Sequence, residues 1–374
     1  MNVIGVASPT QVKSKRPVIA VDIFCGVGGL THGMQAAGLP VVAGIDFDAS
    51  CQYAFEHNNK SKFLHKDVTN ITAQEVADLY PPDALRVLVG CAPCQPFSQV
   101  PGEREDKEHK WRLLYSFADL IEKVQPAIVS MENVPQLNGH KKGVVLADFT
   151  KRLESLGYEV TKYRVNAAHY GVPQRRHRLL LFASKFGKVS LVPQTHTDAT
   201  ALTVAQAIGG LPAIEAGEAH HHDKLHHARR LSPLNLLRIK ATPEGGNWTA
   251  WPADLLEGLE CRQSKQGKTF TSAYGRMAWQ KPAPTLTTHC TGLSNGCYGH
   301  PSQHRAISLR EAALIQSFPA TYSFVKAESE LNIGALARHI GNAVPPKLGE
   351  AIAQSILQHL AQTHAHGRQA KMAL

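Results

Sequence analysis

The sequence predicts an α/β fold: a doubly wound, mainly parallel sheet with a second, smaller and irregular domain. Two observations lead there. From Pro17 to Ser184 short apolar runs alternate with amphipathic stretches, and after Gly187 this gives way to scattered Pro, Gly, His, Trp and Arg with weak periodicity. Strand–helix alternation calls for crossover helices that cover both faces of a sheet, so its strands read as continuous apolar runs. Such runs occupy 18–24, 41–45, 86–89, 127–131 and 179–182, and a further short one precedes Lys66. Apolar residues three and four apart predict helices near 30–37, 49–57, 113–124 and 145–156. Regular structure resumes with a helix over 309–317. A last helix over 348–360 follows Pro345-Pro346 and is expected to dock back on the first domain. The tail after His364 reads as disordered. The expected division is therefore a first domain over 17–186, completed by 334–374, and a second over 187–333.

At 374 residues the chain can bury a substantial core. Its formal charge of +10 suggests a polyanionic partner, nucleic acid first; the plainer alternative is a solubilising surface. Seven scattered cysteines argue against a disulfide scaffold and for a reducing compartment. Residues 1–16 are polar and basic, and no stretch approaches the roughly 20 apolar residues of a membrane span. A soluble, cytoplasmic protein with no membrane partner is expected.

The segment Val89-Gly90-Cys91-Ala92-Pro93-Cys94-Gln95-Pro96-Phe97-Ser98 closes the fourth apolar run. In doubly wound folds chemistry gathers beyond the carboxyl ends of strands. A thiolate placed there is a nucleophile for an electron-poor carbon. Two other readings stand beside it: a buried core cysteine, and a dithiol pair in Cys91-x-x-Cys94. The connection over 95–109 is long, charged and rich in turn formers, either a functional lid or a disordered loop.

At the other strand ends the signals suit a cofactor. Asp22-Ile23-Phe24-Cys25-Gly26-Val27-Gly28-Gly29-Leu30 opens a helix through a glycine-rich turn, although its spacing is not G-x-G-x-x-G. Ile45-Asp46-Phe47-Asp48 ends the second run with an acid suited to ribose hydroxyls, and Asp67 in Lys66-Asp67-Val68 suits an adenine amino group. Each feature alone is ordinary turn chemistry. Three at successive strand ends favour a nucleoside-bearing cofactor.

With these residues in view the chain resembles the DNA (cytosine-5) methyltransferases. Asp22 to Leu30 is similar to the family's S-adenosylmethionine loop, and Cys91-Ala-Pro-Cys94-Gln-Pro-Phe-Ser to its nucleophile motif. Met131-Glu132-Asn133-Val134, Gln174-Arg175-Arg176-His177-Arg178, Arg310-Glu311-Ala312-Ala313 and Gly341-Asn342-Ala343-Val344-Pro345-Pro346 follow in the family's order. Ala92 stands where many members carry a bulkier residue, and Asp46 where many carry glutamate; the turn and the carboxylate remain.

The resemblance implies the S-adenosylmethionine-dependent methyltransferase fold with a target-recognition domain, and a reaction at C5 of cytosine in duplex DNA. The cofactor would lie against Phe24, Gly26, Gly28, Gly29, Asp46, Phe47, Asp67, Val68, Pro93, Leu113 and Asn342. Cys94 would add to C6 and Glu132 would supply a proton at N3, provided its carboxyl stays protonated or shares a proton in a desolvated pocket. Arg178 would donate to O2, and Arg176 would steady the thiolate side or a phosphate. Outside the motif both read as surface or ion-pair arginines. The base must leave the stack, so 95–109 is the natural lid, with Gln95, Ser98 and Arg104 on the DNA. Between 187 and 299, Arg229, Arg230, Arg238, Arg262, Lys265, Lys268 and Arg276, with Trp248, Trp251 and Tyr274, suit phosphate contacts and base readout.

No metal is expected: His220-His221-His222 and His226-His227 lack regular ligand spacing and read as a solvated or phosphate-facing cluster. A monomer is expected, with a cognate restriction endonuclease as a further partner. Two rivals remain: the same fold acting on transfer RNA, and a catalytically silent nucleic-acid regulator. The second would need a broken motif, and Cys94, Glu132 and Arg178 stand intact.

Overall fold

The computed structural model describes residues 16–92, 107–138, 143–259 and 271–372, with backbone alone for 107–111 and 364–372. Seven strands form the main sheet: β1 (Val18–Ile23), β2 (Val41–Asp46), β3 (Lys62–His65), β4 (Leu85–Gly90), β5 (Ile128–Asn133), β6 (Glu159–Asn166) and β7 (His177–Ser184). Their order is β3-β2-β1-β4-β5-β7-β6. Neighbours are parallel except that β7 runs antiparallel to both β5 and β6. The expected doubly wound, mainly parallel sheet is therefore present. Strand β6 was not among the expected runs. As an edge strand it keeps only Val165 fully buried, so Glu-Val-Thr-Lys-Tyr-Arg-Val-Asn carries no continuous apolar run.

Helices cover both faces. On one, α3 (Ala73–Ala77), α4 (Lys107–Val124) and α5 (Val144–Ser155) close a core of Val21, Ile23, Leu88, Val129, Phe117 and Phe149. On the other, α1 (Gly29–Ala36) and the chain's last helix share one apolar cluster with Ala20, Val87 and Val89 of the sheet. α2 (Gln52–Asn58) follows β2 through a short 3-10 turn. The last helix does return to this domain, packing Leu348, Ile352 and Ile356 against Leu30 and Met34. Its approach to α1 is close: a Cβ on Gly33 would lie 2.0 Å from the Pro346 carbonyl oxygen. That helix runs from Pro346 to Met372, beyond the expected end and through the tail expected to be disordered. Helix formers Ala361, Gln362, Ala365, Arg368, Gln369, Ala370 and Lys371 outnumber the weaker Thr363, His364, His366 and Gly367 there.

After Gly187 regular elements are few: α6 (Val204–Ile208), the hairpin β8 (Ala219–His220) and β9 (Asp223–His227), and α7 (Pro233–Ala241). Then come α8 (Leu309–Ile315), α9 (Ile333–Asn342) and the last helix, α10. Residues on either side of 187 share one apolar cluster, in which Cys25, Phe55 and Phe63 meet Leu309, Phe318, Tyr322 and Leu336. The Tyr322 hydroxyl donates to the Val27 carbonyl, so the segment over 309–324 packs directly on the glycine-rich turn.

Candidate active site

The register of β4 and β5 sets the geometry. Gly90 lies opposite Met131 in a parallel pair, so the following residues, Cys91 and Glu132, emerge side by side. The Cys91 thiol donates to Glu132 Oε2 at 2.8 Å. Arg178, entering β7 across β5, brings Nε to 2.7 Å from Glu132 Oε1. This is an ion pair without hydrogen-bond alignment, and Oε1 has no aligned donor among the described residues. Glu132 is only 3 % exposed. The next motif residue pins the chain beyond β4, since Asn133 Nδ2 donates to the Ala92 carbonyl at 3.3 Å.

The Arg176 guanidinium is buried and donates to the carbonyls of Leu286, Gly341 and Ala343 at 3.1, 3.0 and 3.2 Å. Its terminal nitrogens tie the turn before β7 to the end of α9, while Nε is buried without a hydrogen-bond partner among the described residues. Burial first, then nearby Arg178, lowers its pKa to about 9. Gln174 adds to the same tie, accepting from the Leu286 amide and donating to Gln316.

At the ends of β1 and β2 the expected cofactor residues converge. Phe24 and Cys25 both donate their amides to the Ile45 carbonyl, which bends the chain out of β1 and holds Phe24 at a φ of 61°. A non-glycine residue in that region is strained, and such strain gathers at functional sites. The Phe24 ring meets Phe117 edge-on, centroids 6.2 Å apart. Asp46 accepts from the Gly26 amide through Oδ2 at 2.8 Å and from the Asp48 amide through Oδ1 at 2.9 Å. Gly26 has a φ of 50°, and a Cβ there would meet nothing within 4 Å, so the turn faces open space. Gly28 and Gly29 instead face the protein, against Asn59 and the Val344 carbonyl.

Beside this turn Phe47 is 66 % exposed, an uncovered ring at the end of a buried strand. Asp67 follows β3, which pairs Leu64 with Ile45; its Oδ1 accepts from Thr69, and Val68 is buried. Leu113 is half-buried on α4, and Asn342 is exposed at the end of α9. That helix is anchored to the β2 exit by His339 Nε2, 3.0 Å from Asp48 Oδ2. Asp48, Cys51 and His339 are the one set among the described residues with side-chain donors grouped closely enough for a metal ion. Asp48 is already engaged by Ser50 and His339, which makes it part of this anchor. Pro93, Cys94, Gln95, Ser98, Arg104, Arg262, Lys265 and Lys268 lie outside the described residues.

The expected DNA-facing set divides. Arg229 and Arg230 are exposed beside α7, which also presents Leu234 and Leu237 to solvent. Arg276 is not available to DNA. It is 3 % exposed and donates to the carbonyls of Thr242, Ile239, His300 and Gln303. Arg238 is likewise interior, 5.3 Å from the ring centroids of both Trp251 and Tyr274 and bonded to the Leu255 and Glu257 carbonyls. A segment poor in helix and strand leaves carbonyls unpaired, and a buried guanidinium with five donors satisfies several at once. The histidines divide too: His220, His221 and His222 form a solvent-facing ring cluster, whereas His226 is buried between Ser308 and the Pro212 carbonyl. In the late motif, Arg310 pairs with Asp223 and Glu311 with Arg305, so both serve the packing of α8.

A seven-stranded sheet of this order, with acids at the ends of β1 to β3 and a glutamate–arginine pair joining the end of β5 to the start of β7, defines an S-adenosylmethionine-dependent methyltransferase fold. Comparison with known proteins narrows the class. The chain belongs to the C-5 cytosine-specific DNA methylase family, whose profile matches residues 19–358, and is a DNA cytosine-5 methyltransferase. It is 46% identical over 348 residues to the type II methylase M.HgiDII of Herpetosiphon aurantiacus, covering 93% of this chain and 97% of the relative. The type II methyltransferase M1.HphI of Haemophilus parahaemolyticus is 29% identical over 345 residues, 90% of this chain and 86% of its own. Among solved structures, a prophage DNA modification methyltransferase of E. coli superposes with a TM-score of 0.69 at 21% identity, covering 92% of this chain and 99% of that one. The S. pombe Dnmt2 methyltransferase gives 0.57 at 16% identity, covering 92% and 99%. These two likenesses concern the fold.

Proposed function

We propose that the enzyme methylates C5 of a cytosine flipped out of a specific duplex DNA sequence, through a covalent bond from Cys94 to C6. The observation that carries this reading is the buried Glu132 carboxyl group, held by Cys91 and paired with Arg178 while Oε1 lacks an aligned donor. Cys94 follows Ala92 by two residues, so chain length alone keeps it within about 7 Å of the point that Asn133 pins.

The thiolate adds to C6, and the electron pair of the C5–C6 bond moves through the ring toward N3 and O2. Glu132 shares its proton at N3, and Arg178 donates to O2. C5 then takes the methyl group. Loss of the C5 proton to a base allows the C6–sulfur bond to break, N3 gives its proton back to Glu132, and the thiolate returns. S-adenosyl-L-methionine, when bound, supplies the electrophilic methyl carbon.

Phe24, Gly26, Asp46, Phe47, Asp67 and Val68 fit such a cofactor. The turn at Gly26 faces open space, Phe47 offers an uncovered ring, and Asp46 and Asp67 keep lone pairs for hydroxyl and amino groups. Gly28 and Gly29 shape the turn behind them, while Pro93, Leu113 and Asn342 complete the set. Flipping the base costs a few kcal/mol, which contacts from Gln95, Ser98, Arg104, Arg229, Arg230, Lys265 and Lys268 would offset. The relatives' names, type II methylases, support modification of one specific sequence beside a cognate restriction endonuclease. We read the enzyme as a cytoplasmic monomer.

Bisulfite sequencing of plasmid DNA from an expressing host tests activity and target together. Protected cytosines should share one short context. Duplex carrying 5-fluorocytosine at the target should trap the wild type covalently, because fluorine cannot leave as a proton does. Cys94→Ser should abolish both methylation and trapping. Unmethylated plasmid with methylated transfer RNA would turn the reading to RNA, and trapping that survives Cys94→Ser would remove Cys94 from the chemistry.

A further inference from the structure

Cys91 takes no step in the chemistry above, yet its thiol makes the aligned side-chain hydrogen bond to Glu132 among the described residues. The contact follows from the sheet. Cys91 donates its own amide to the Ile23 carbonyl, which extends the β1–β4 ladder one residue beyond β4. Its side chain is thereby fixed next to Glu132, the neighbour that the β4–β5 register dictates. A glutamate needs such fixing, because the torsion that turns its carboxyl group is broad and has no sharp rotamer. Arg178 holds the other oxygen, with Nε 2.7 Å from Oε1, so the thiol and the guanidinium fix the group between them.

We infer that Cys91 is a positioning residue for methyl transfer: its S–H holds Oε2 of Glu132 and so directs Oε1, beside Arg178, at the incoming base. This rests on the role proposed above for Glu132. Burial first, and the Glu132 carboxylate second, push the Cys91 thiol well above its ordinary pKa. The sulfur therefore keeps its proton and acts as a donor. The first cysteine of Cys91-x-x-Cys94 acquires a use that is neither redox partner nor core filler.

Loss of the thiol should slow turnover by misdirecting Oε1 while leaving substrate binding in place. A residue that merely filled space would leave kcat unchanged once the fold is intact.

The test is steady-state methylation of a duplex carrying the target by wild type, Cys91→Ala, Cys91→Ser and Glu132→Gln. Cys91→Ala should lower kcat about tenfold, as loss of one hydrogen bond to a charged group implies. Its KM values for DNA and for S-adenosylmethionine should stay within about twofold of wild type, because the lost contact touches neither binding surface. Cys91→Ser, which restores a donor, should keep kcat within about threefold of wild type. Melting midpoints check folding, and if Cys91→Ala melts early the serine variant's kcat decides.

Unchanged kcat in Cys91→Ala would overturn the inference. So would Cys91→Ser that is as slow as Cys91→Ala, which would assign Cys91 to packing. Undiminished turnover by Glu132→Gln would instead overturn the reading of Glu132, and this inference with it.

Discussion

Asp22 lies near the end of β1 with one carboxylate oxygen bonded to the Thr31 hydroxyl at 2.7 Å and the other, Oδ1, buried without a partner among the described residues. Burial, opposed by the Thr31 bond and reinforced by Asp46, raises its pKa from 3.8 to about 7. The folded protein therefore holds a proton that the unfolded chain releases near pH 4. The stability this proton confers is complete below the unfolded pKa and declines as pH rises to about 7, after which the curve is flat. A shift of this size corresponds to roughly 4 kcal/mol, an upper bound for a group that is 1 % exposed. Asp22→Asn has no proton to lose. Urea unfolding of the cofactor-free enzyme at several pH values should show the wild type losing stability relative to Asp22→Asn between about pH 4 and 7. Parallel curves would mean that water or a local rearrangement solvates Asp22.

At the scale of elements, what could be read in the sequence followed burial. Strands β1, β2, β4, β5 and β7 are covered on both faces and appear as apolar runs, whereas edge strand β6 and the five-residue α3 carry too little buried surface to stand out. Asp46 is legible because a lone acid at a strand end is conspicuous, whereas Glu132 and Phe47 are picked out only by the family resemblance. The Cys91–Glu132 contact is not legible, since it depends on the register between β4 and β5, which no local pattern encodes. Arg238 and Arg276 were misread for a related reason: a basic residue in an irregular segment looks solvated until its carbonyl partners are known.

Glycines tell the same story between α1 and α10. An added methyl at Gly33 would come within 2.0 Å of the Pro346 carbonyl oxygen and 2.8 Å of the Glu350 amide nitrogen, both backbone atoms that cannot rotate aside. Gly33→Ala should therefore part the two helices and cost about 3 kcal/mol or more, beyond ordinary overpacking. At Gly210 a Cβ meets nothing within 4 Å and φ is ordinary, so Gly210→Ala should stay within about 0.5 kcal/mol of wild type. Equal denaturation midpoints for both variants would show that α10 can slide along α1 without loss.

For the molecule as a whole, the question is whether sequence reading separates from chemistry. Glu132 and Arg178 belong to the main sheet, and the tie through Arg176 and Gln174 binds Leu286 and the end of α9 to it. The segment over 229–274 is built differently. Trp248, Trp251, Leu255, Leu259, Ala273 and Tyr274 form their own apolar cluster, and Arg238 bonds within the same span. Arg276, just outside it, reaches in to the backbone carbonyls of Thr242, Ile239 and Gly246, contacts that side-chain changes leave in place. Residues 229–274 should thus be exchangeable for those of a relative with another target. The folded chimera should methylate the donor's sequence, while Glu132→Gln slows it as it slows the parent. Within the parent, Arg230→Ala should weaken binding to all duplexes alike and lower the salt slope by about one unit if Arg230 meets a phosphate. If it meets a base, the loss should fall on one base pair at about 1–3 kcal/mol and relax the target there. A chimera that folds, turns over and keeps the parent's methylation pattern in bisulfite sequencing would place target reading outside 229–274, on the catalytic part or on the stretch beyond Arg276.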